Sequence, residues 1–560
     1  MKSLLNKLRP RLFAIAAFSF VINLLFLAPA IFMLQVFDRV IPSNSQETLI
    51  VLLLGTGIAL AILLCLDYVR NRVQNLLGNI IDDHLSPPVV KAIVARSART
   101  PHGVRSDGIR DIVTLRTLFS ANGLIALFDA PWVVIYVAVI WMFHPALGLG
   151  AAAASLLMLA LAWLNNWVSS GVLEDLQKDS RRASHYVESS LRNAEVLQAL
   201  GMTENLLARW RKLQNQITSN QTSASRRTVS FTAITKFVRQ AIQVLIMALG
   251  AYLVITQQAS AGVMIATTVL LGRAIQPVEQ LVGSWRTLLE SRSAYQRLSA
   301  LSEHFDRQEP RVSIPRPEGI LTVDSVVYRA PGSDKPILSG ISFSLAAGEA
   351  VAVLGPSAAG KSTLARILTG VWPASSGSVR LDGADLANWP REQLGTWMGY
   401  VPQDIELFEG TIADNIARLG KVDSEAVIRA AMRANAHELI LGLEKGYDTL
   451  VGEQGARLSP GQRQRIALAR ALYGDPRLVI LDEPNANLDG EGEIALAQAM
   501  SGLRNEGVTT VVITHRPSLI AHVDKILVLA AGRIQKFGPA GEVMKAMQQQ
   551  AQVILGDKAA

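Results

Sequence analysis

Six apolar segments in the first part of the chain constrain its fold more than any other feature. Each is close to the roughly 20 residues that a helix needs to cross a bilayer. A segment within lipid must satisfy its own backbone hydrogen bonds, so a lone run of this length predicts a helix. The six segments are Leu12–Leu34, Leu49–Leu66, Leu124–Phe143, Ala146–Val168, Phe237–Ile255 and Ala261–Val282. We therefore predict a six-span membrane domain over residues 1–300, including cytoplasmic extensions of the spans.

The basic side chains lie on one side of these segments. The N-terminus holds four Lys and Arg, the loop after span two holds eight and the loop after span four holds ten, whereas the three opposite loops hold only Arg39. Because cytoplasmic loops carry the excess of Lys and Arg, this pattern puts the N-terminus and the long loops in the cytoplasm. It also explains the net charge of +8 without a nucleic-acid partner. The lone cysteine, Cys65, indicates neither a disulfide framework nor a metal cluster.

A phosphate-binding loop follows a proline-rich linker over residues 301–318. Its sequence is Gly355-Pro356-Ser357-Ala358-Ala359-Gly360-Lys361-Ser362-Thr363, between an apolar strand and a predicted helix. The two glycines let the backbone amides surround phosphate oxygens. Lys361 would reach the β- and γ-phosphates of ATP, and the Ser362 hydroxyl would bind Mg²⁺. Ala358 and Ala359 carry a Cβ atom, so we expect both at negative φ.

Two further motifs belong with this loop. The apolar run Leu478–Leu481 ends in Asp482 and Glu483, and a strand ending there would place Asp482 beside the same Mg²⁺. Ser459 has Gln462 three residues on, which predicts a capping box at the start of a helix. Pro460 then falls at the first helical position, where proline is well tolerated.

The three motifs in this order resemble the motor of ATP-binding cassette (ABC) proteins, over residues 319–555. The resemblance implies an α/β P-loop ATPase joined to an α-helical exporter-type membrane domain. It implies that Glu483 is the base that orients or deprotonates the attacking water. Four further roles come from the resemblance alone: Gln403 contacts Mg²⁺, His515 contacts the γ-phosphate, Asp489 lies at the subunit contact and Tyr328 stacks on adenine.

The resemblance also implies that two copies build each ATP site. In the family, the helix start at Ser459, Gly461 and Gln462 binds the γ-phosphate of ATP held by a partner subunit. This chain has one copy of each motif, so we predict a homodimer with two equivalent sites, both retaining Glu483. Pro460 departs from the glycine usual in the family, and the capping pattern predicts that the helix start is preserved.

Ionisable residues at membrane depth are costly and suggest a function. Asp129 lies in the sequence Phe-Asp-Ala-Pro-Trp, and Arg273 and Glu279 lie in the sixth span near Pro277. We consider two roles for Asp129 and Arg273, lining of a translocation path or a structural role as a paired or interfacial charge. Pro277 is expected to break or kink span six.

The membrane half narrows the resemblance. Met33–Val40, the Phe-Asp-Ala-Pro-Trp element and Leu271–Gln280 are similar to the PrtD-type ATPases of type I secretion. That resemblance implies ATP-driven export of unfolded proteins with a C-terminal secretion signal through the inner membrane of a Gram-negative bacterium. It implies a periplasmic adaptor and a TolC-like outer-membrane channel as partners. Few residues precede span one, so we expect no N-terminal peptidase domain.

Two alternatives share part of this pattern. An exporter of lipids or small amphiphiles would have the same motor, and only the membrane motifs separate it from a protein exporter. A membrane-anchored ATPase that transports nothing would retain hydrolysis without a translocated substrate.

Overall fold

The computed structural model describes residues 2–99, 108–120, 122–191, 193–303, 314–486 and 488–559. The chain divides into two compact units. The first comprises Met1–Val94 and Arg105–Asp306, and the second comprises Ala95–Val104 and Arg307–Ala560. The division near residue 306 falls inside the predicted linker.

The described residues of the first unit form helices joined by short turns. Its elements are α1 (Lys2–Leu25), α2 (Ala28–Gln35), a π-helical turn (Val36–Val40), α3 (Ile41–Ser43), α4 (Gln46–Arg99, whose last residues group with the second unit), α5 (Gly108–Ser120), α6 (Asn122–Asp129), α7 (Trp132–Phe143), α8 (Pro145–Leu191), α9 (Ala194–Ala199), α10 (Thr203–Ile255) and α11 (Ala261–Glu303).

Six described segments are long and apolar enough to cross a membrane, which confirms the six predicted spans. They are Asn6–Ser43, Gln46–Arg99, Ile125–Phe143, Pro145–Leu164, Val229–Ile255 and Ala261–Leu281. Helices α4, α8 and α10 continue well beyond their apolar stretches, in line with the predicted extensions of the spans. Pro277 was expected to break or kink span six. It lies within the continuous helix α11, so it does not break the helix.

Asp38, in the motif Met33–Val40, has a structural role at the start of the last span. Its carboxylate accepts hydrogen bonds from the Ser260 hydroxyl at 2.6 Å and from the Gly262 amide at 2.9 Å. Those groups lie at the start of α11, where backbone amides have no partner within the helix. Asp38 therefore caps the last span from the π-helical turn near the end of the first span.

A buried polar network surrounds Asp129. Its carboxylate accepts a hydrogen bond from Asn23 Nδ2 at 2.7 Å and lies 3.5 Å from Arg70 Nη1. Arg70 also donates to Ser19 Oγ, and the Tyr136 hydroxyl donates to Asn23. Asp129 is thus paired inside one chain, which favours the structural role of the two that we considered, while its place on a translocation path stays a prediction.

The second unit contains two sheets and short helices. Its elements are β1 (Leu321–Arg329), β2 (Pro336–Leu345), β3 (Ala350–Leu354), α12 (Lys361–Leu368), β4 (Ser376–Leu381), β5 (Ala384–Asp385), α13 (Arg391–Trp397), β6 (Met398–Val401), α14 (Ile412–Ile416), α15 (Ser424–Arg433), α16 (His437–Leu441), α17 (Pro460–Leu472), β7 (Leu478–Asp482), α18 (Gly490–Asn505), β8 (Thr509–Ile513), α19 (Pro517–Ile520), β9 (Lys525–Ala530), β10 (Arg533–Pro539) and α20 (Ala540–Ala559).

The six-stranded sheet has the order β10-β9-β3-β8-β7-β6 and is parallel except for β10. Both faces of its central strands are covered, so β3 and β7 are buried at every residue. This is why their sequences are continuous apolar runs. A four-stranded antiparallel sheet of order β2-β1-β4-β5 completes the unit.

Candidate active site

The register of the parallel strands gathers the predicted site residues at one edge of the sheet. Val353 and Asp482 both pair with Ile513, and Val401 pairs with Leu481. The carboxyl ends of β3, β6, β7 and β8 therefore meet at one level. The phosphate loop, Gln403, the carboxylates and His515 each follow one of these strand ends.

The phosphate loop takes the form that its glycines allow. A Cβ atom on Gly355 would lie 2.1 Å from the Leu529 carbonyl oxygen, so only glycine fits there. Gly360 has a φ of 100° and precedes the first residue of α12. Lys361 Nζ donates to the carbonyls of Gly355 and Pro356 at 2.7 and 3.0 Å. Pro356, Ser357 and Ala358 are exposed and accessible to a ligand, and Thr363 is half-buried.

The conformation expected for Ala358 was wrong. Its φ is 64°, in the left-handed region, whereas Ala359 is not among the residues with positive φ. The left-handed conformation costs an L-residue about 1–2 kcal/mol. A Cβ atom alone did not exclude it, because the tight turn between β3 and α12 imposes the backbone geometry.

Three oxygen-bearing side chains converge beside the loop. Ser362 Oγ lies 3.3 Å from Asp482 Oδ1 and 3.5 Å from Gln403 Oε1. Hydroxyl, amide and carboxylate oxygens suit a hard cation such as Mg²⁺. Asp482 is 1% exposed, and this burial raises the pKa of its carboxyl above the ordinary value, although the Ser362 hydroxyl opposes the shift. A cation bound here would offset the cost of a buried carboxylate.

Glu483 lies next to this group in a strained conformation. Its φ is 49°, which is uncommon for a residue other than glycine and costs free energy. Its amide donates to the Ile513 carbonyl at 3.0 Å, and its carboxylate accepts from Gln403 Nε2 at 3.2 Å. The turn thus aims the glutamate toward the edge where Gln403 and Asp482 lie.

Two further predicted site residues, His515 and Asp489, lie at exposed positions. His515 follows Thr514 at the end of β8, and its side chain is exposed. Asp489 caps α18 by accepting from the Gly492 amide at 2.8 Å, and it lies 3.7 Å from Arg465. Asp489 is therefore available on the surface for a subunit contact.

The helix start at Ser459 has the predicted capping box. Ser459 Oγ accepts from the Gln462 amide at 3.2 Å, and Gln462 Oε1 accepts from the Ser459 amide at 2.9 Å. Pro460 is the first residue of α17, as predicted. A groove of about 970 Å³ borders this end and is lined by Ser459, Gly461, Gln462 and Asp489 among others, but by no residue of the phosphate loop.

Sequence reasoning missed a link between this helix and the turn that holds Glu483. Gln464, buried in α17, donates to the Pro484 carbonyl, directly after Glu483. The only sequence signal was a glutamine at a position of the helix that faces the core.

The structure corrects the expectation for Tyr328. The alternation of β1 turns this ring into the core, where it is 4% exposed and stacks on Trp372 with ring centroids 5.1 Å apart. Burial also raises the pKa of its hydroxyl. Trp372 occupies a face that an adenine ring would need, so Tyr328 is not an open stacking platform in this structure.

Comparison with known proteins agrees with this geometry. The families described as ABC transporter and ABC transporter transmembrane region match residues 338–486 and 12–278. The type I secretion system ATP-binding protein PrsD of Rhizobium meliloti (strain 1021) is 40% identical, over 96% of this chain and 93% of that protein. The exotoxin translocation ATP-binding protein PaxB of Pasteurella aerogenes is 30% identical, over 94% and 75%. A solved bacterial Atm1-family ABC exporter with ATP bound has a TM-score of 0.82 and 26% identity, with 99% of both chains covered.

Proposed function

Since the chain belongs to the ABC transporters of type I secretion, we propose that it hydrolyses ATP to export proteins across the bacterial inner membrane. The observation that carries this is the match along 96% of the chain, through membrane and ATPase regions alike, to a secretion ATP-binding protein. The cargo is an unfolded polypeptide with a C-terminal secretion signal. The membrane spans carry it, and the ATPase unit lies in the cytoplasm.

ATP and Mg²⁺ bind at the edge of the six-stranded sheet. The phosphate loop holds the nucleotide, with Lys361 released from the Gly355 and Pro356 carbonyls to the β- and γ-phosphates. Ser362, Gln403 and Asp482 hold Mg²⁺, which neutralises phosphate charge when bound. Glu483 orients the attacking water and accepts its proton, and His515 contacts the γ-phosphate.

Each ATP site is completed by a second copy of the chain. Ser459, Gly461 and Gln462 of the partner cover the γ-phosphate, and Asp489 lies at the contact. Two observations support this arrangement. The groove at the capped start of α17 is not lined by the phosphate loop of the same chain. Asp489, which also lines this groove, is exposed. Closure of two copies on ATP, followed by hydrolysis and reopening, supplies the conformational cycle.

The secretion pathway requires two further partners, a periplasmic adaptor and a TolC-like outer-membrane channel. The relationship to type I secretion proteins supports this part of the proposal, which the chain's own geometry does not address.

Arg273 remains a candidate for the translocation path. Its guanidinium lies 3.9 Å from the centre of the Phe26 ring, at the interruption between α1 and α2, and donates to Gln276 at 3.2 Å. Unlike Asp129 it has no buried carboxylate partner among these contacts, and its side chain is only half-buried. If Arg273→Ala left transport and transport-coupled ATPase unchanged, this role would be wrong.

The test of the function is a comparison of exported proteins. A chromosomal Glu483→Gln strain and its parent are grown in separate, parallel cultures. A Glu425→Gln strain serves as the control, because its change removes an exposed carboxylate on α15. We expect one or more proteins to disappear from the medium of the Glu483→Gln strain alone and to remain in its cells. An unchanged protein profile with a changed lipid profile would instead support an exporter of amphiphiles.

A further inference from the structure

The last turn of α17 is held by two arginines from outside the helix. The final four carbonyls of a helix have no hydrogen-bond partner within it. Arg418 Nε donates to the Arg470 carbonyl at 3.0 Å, and Arg418 Nη2 donates to the Ala471 carbonyl at 2.9 Å. Arg433 Nη1 donates to the Leu472 carbonyl at 3.0 Å. Three of the four carbonyls at this end of α17 therefore accept hydrogen bonds from guanidinium groups.

Arg418 lies at a position where a helix end usually has glycine. Helix α14 ends at Ile416, and Arg418 is the second residue beyond it, with a φ of 57°. Its amide donates to the Asn415 carbonyl at 3.2 Å, and the Leu419 amide donates to the Asp414 carbonyl at 2.9 Å, which is the pattern of a Schellman motif. Glycine is favoured there because it has no Cβ atom. An arginine in this left-handed conformation is strained, which points to a role of its side chain.

These contacts fix the direction of α17 relative to the neighbouring helices. Arg418 reaches α17 from the end of α14, and Arg433 reaches it from the end of α15. The Arg418 guanidinium also donates to the Gly395 carbonyl in α13. Helix α17 has 13 residues and is capped at its other end by Ser459. Because a helix of this length is a stiff rod about 20 Å long, a tilt at the end held by the arginines displaces the Ser459 end.

We propose that Arg418 is a positioning residue for the ATP site of the partner subunit. By holding the carbonyl end of α17, it keeps the Ser459 end directed at the γ-phosphate of the ATP that the partner binds. The effect of Arg418 therefore appears in the site that its own α17 completes, and not in the site built on its own phosphate loop. This inference rests on the proposed sharing of each ATP site between two copies.

Dimers of two differently tagged full-length chains separate these two sites. Both chains carry Glu483→Gln, so that trapped ATP is the readout, and one chain, the helix donor, also carries Lys361→Ala. The surviving site then combines α17 of the helix donor with the phosphate loop of the other chain, the loop donor. We expect Arg418→Gly in the helix donor to raise the ATP concentration for half-maximal trapping by about tenfold, the effect of losing one good hydrogen bond. The same change in the loop donor should leave that concentration unchanged.

Two further variants control for the backbone and for the charge. Leu419 has a φ of 59° and an exposed side chain, so Leu419→Gly relieves the same kind of strain without removing a guanidinium. It should leave trapping unchanged in either chain. Arg418→Lys in the helix donor keeps the charge but has a single nitrogen, which cannot serve the Arg470 and Ala471 carbonyls as the guanidinium does, so it should recover only part of the affinity.

Ser459→Ala distinguishes failure of this inference from failure of the shared site. It should abolish trapping when it is placed in the helix donor and have no effect in the loop donor. If Ser459→Ala behaves in this way but Arg418→Gly weakens trapping equally from both chains, as general destabilisation would, or from neither, the inference is overturned and the shared site stands. If Ser459→Ala acts from the loop donor instead, the proposed arrangement of the site is itself wrong.

Discussion

Ser362 Oγ lies 3.3 Å from Asp482 Oδ1, although the two residues are 120 positions apart in the chain. Ser362 is in the first turn of α12 after the phosphate loop, and Asp482 is the last residue of β7. Neither motif alone defines a metal site. The parallel pairing of β3, β8 and β7 brings a hydroxyl and a carboxylate within reach of one cation.

Asp482→Asn is expected to lower ATP hydrolysis by at least about 10²-fold, because a metal ion contributes several kcal/mol to transition-state stabilisation. The measurement is ATPase activity of the purified chain as a function of Mg²⁺ concentration. The matched control is Asp475→Asn, at an exposed position before β7 where Asp475 lies 3.9 Å from Arg316. A surface pair of this kind contributes little, so the control should behave like the parent. Equal activity of the two variants would remove Asp482 from the site.

Glu483→Gln is expected to keep the fold and to trap ATP. The amide has the size of the carboxylate and still reaches Gln403, but it cannot accept a proton, and loss of a general base typically costs about 10²–10⁴-fold in rate. Bound nucleotide after rapid desalting should be ATP in the variant and ADP in the parent. Sustained ATP turnover by Glu483→Gln would contradict the assignment of the base.

The left-handed conformation of Ala358 predicts that glycine is tolerated there better than at its neighbour. Ala358→Gly relieves a conformation that costs about 1–2 kcal/mol and adds unfolded-state entropy of about 0.5–1 kcal/mol, so the net change in unfolding free energy should be small or favourable. Ala359→Gly gains no such relief and loses a methyl group that is 3% exposed. Thermal unfolding should therefore rank Ala358→Gly above Ala359→Gly. The reverse order would contradict the backbone geometry of the loop.

The ion pair of Arg70 and Asp129 predicts that a variant lacking only Asp129 is less stable than a variant lacking both charges. Asp129→Leu alone removes the buried carboxylate beside Arg70 and leaves that buried guanidinium only the exposed Asp67, 2.6 Å away, as an acidic partner. Breaking a buried ion pair by removing one partner typically costs about 3–5 kcal/mol, and the remaining contact with Asp67 should hold the loss at or below the lower end of that range. Arg70→Met with Asp129→Leu removes both charges, so we expect it to recover most of the loss. Unfolding temperatures in one detergent provide the measurement. A double variant no more stable than Asp129→Leu would mean that the pair has another role.

Local patterns predicted the spans and the strand ends, because both depend on runs of apolar residues that the bilayer or the two-sided sheet requires. The capping box at Ser459 was equally local. Tyr328 was placed wrongly because its aromatic character does not tell which face of β1 it occupies. The partner of Asp129 was not predictable, since Asn23 and Arg70 reach it only after three helices have packed. Gln464 belonged to no recognised role, and only the folded chain reveals that it donates to the Pro484 carbonyl.

The central claim, that each ATP site is shared between two copies, is tested most directly by counting trapped ATP in mixed dimers. All chains carry Glu483→Gln, and two affinity tags isolate dimers of defined composition. One dimer combines a Lys361→Ala chain with a Ser459→Ala chain, and the other combines a chain with both changes with a chain that has neither. If the sites are shared, the first dimer keeps one intact site and traps one ATP, whereas the second has a defect in both sites and traps none. ATP trapped by the second dimer and not by the first would show that each chain builds its own site.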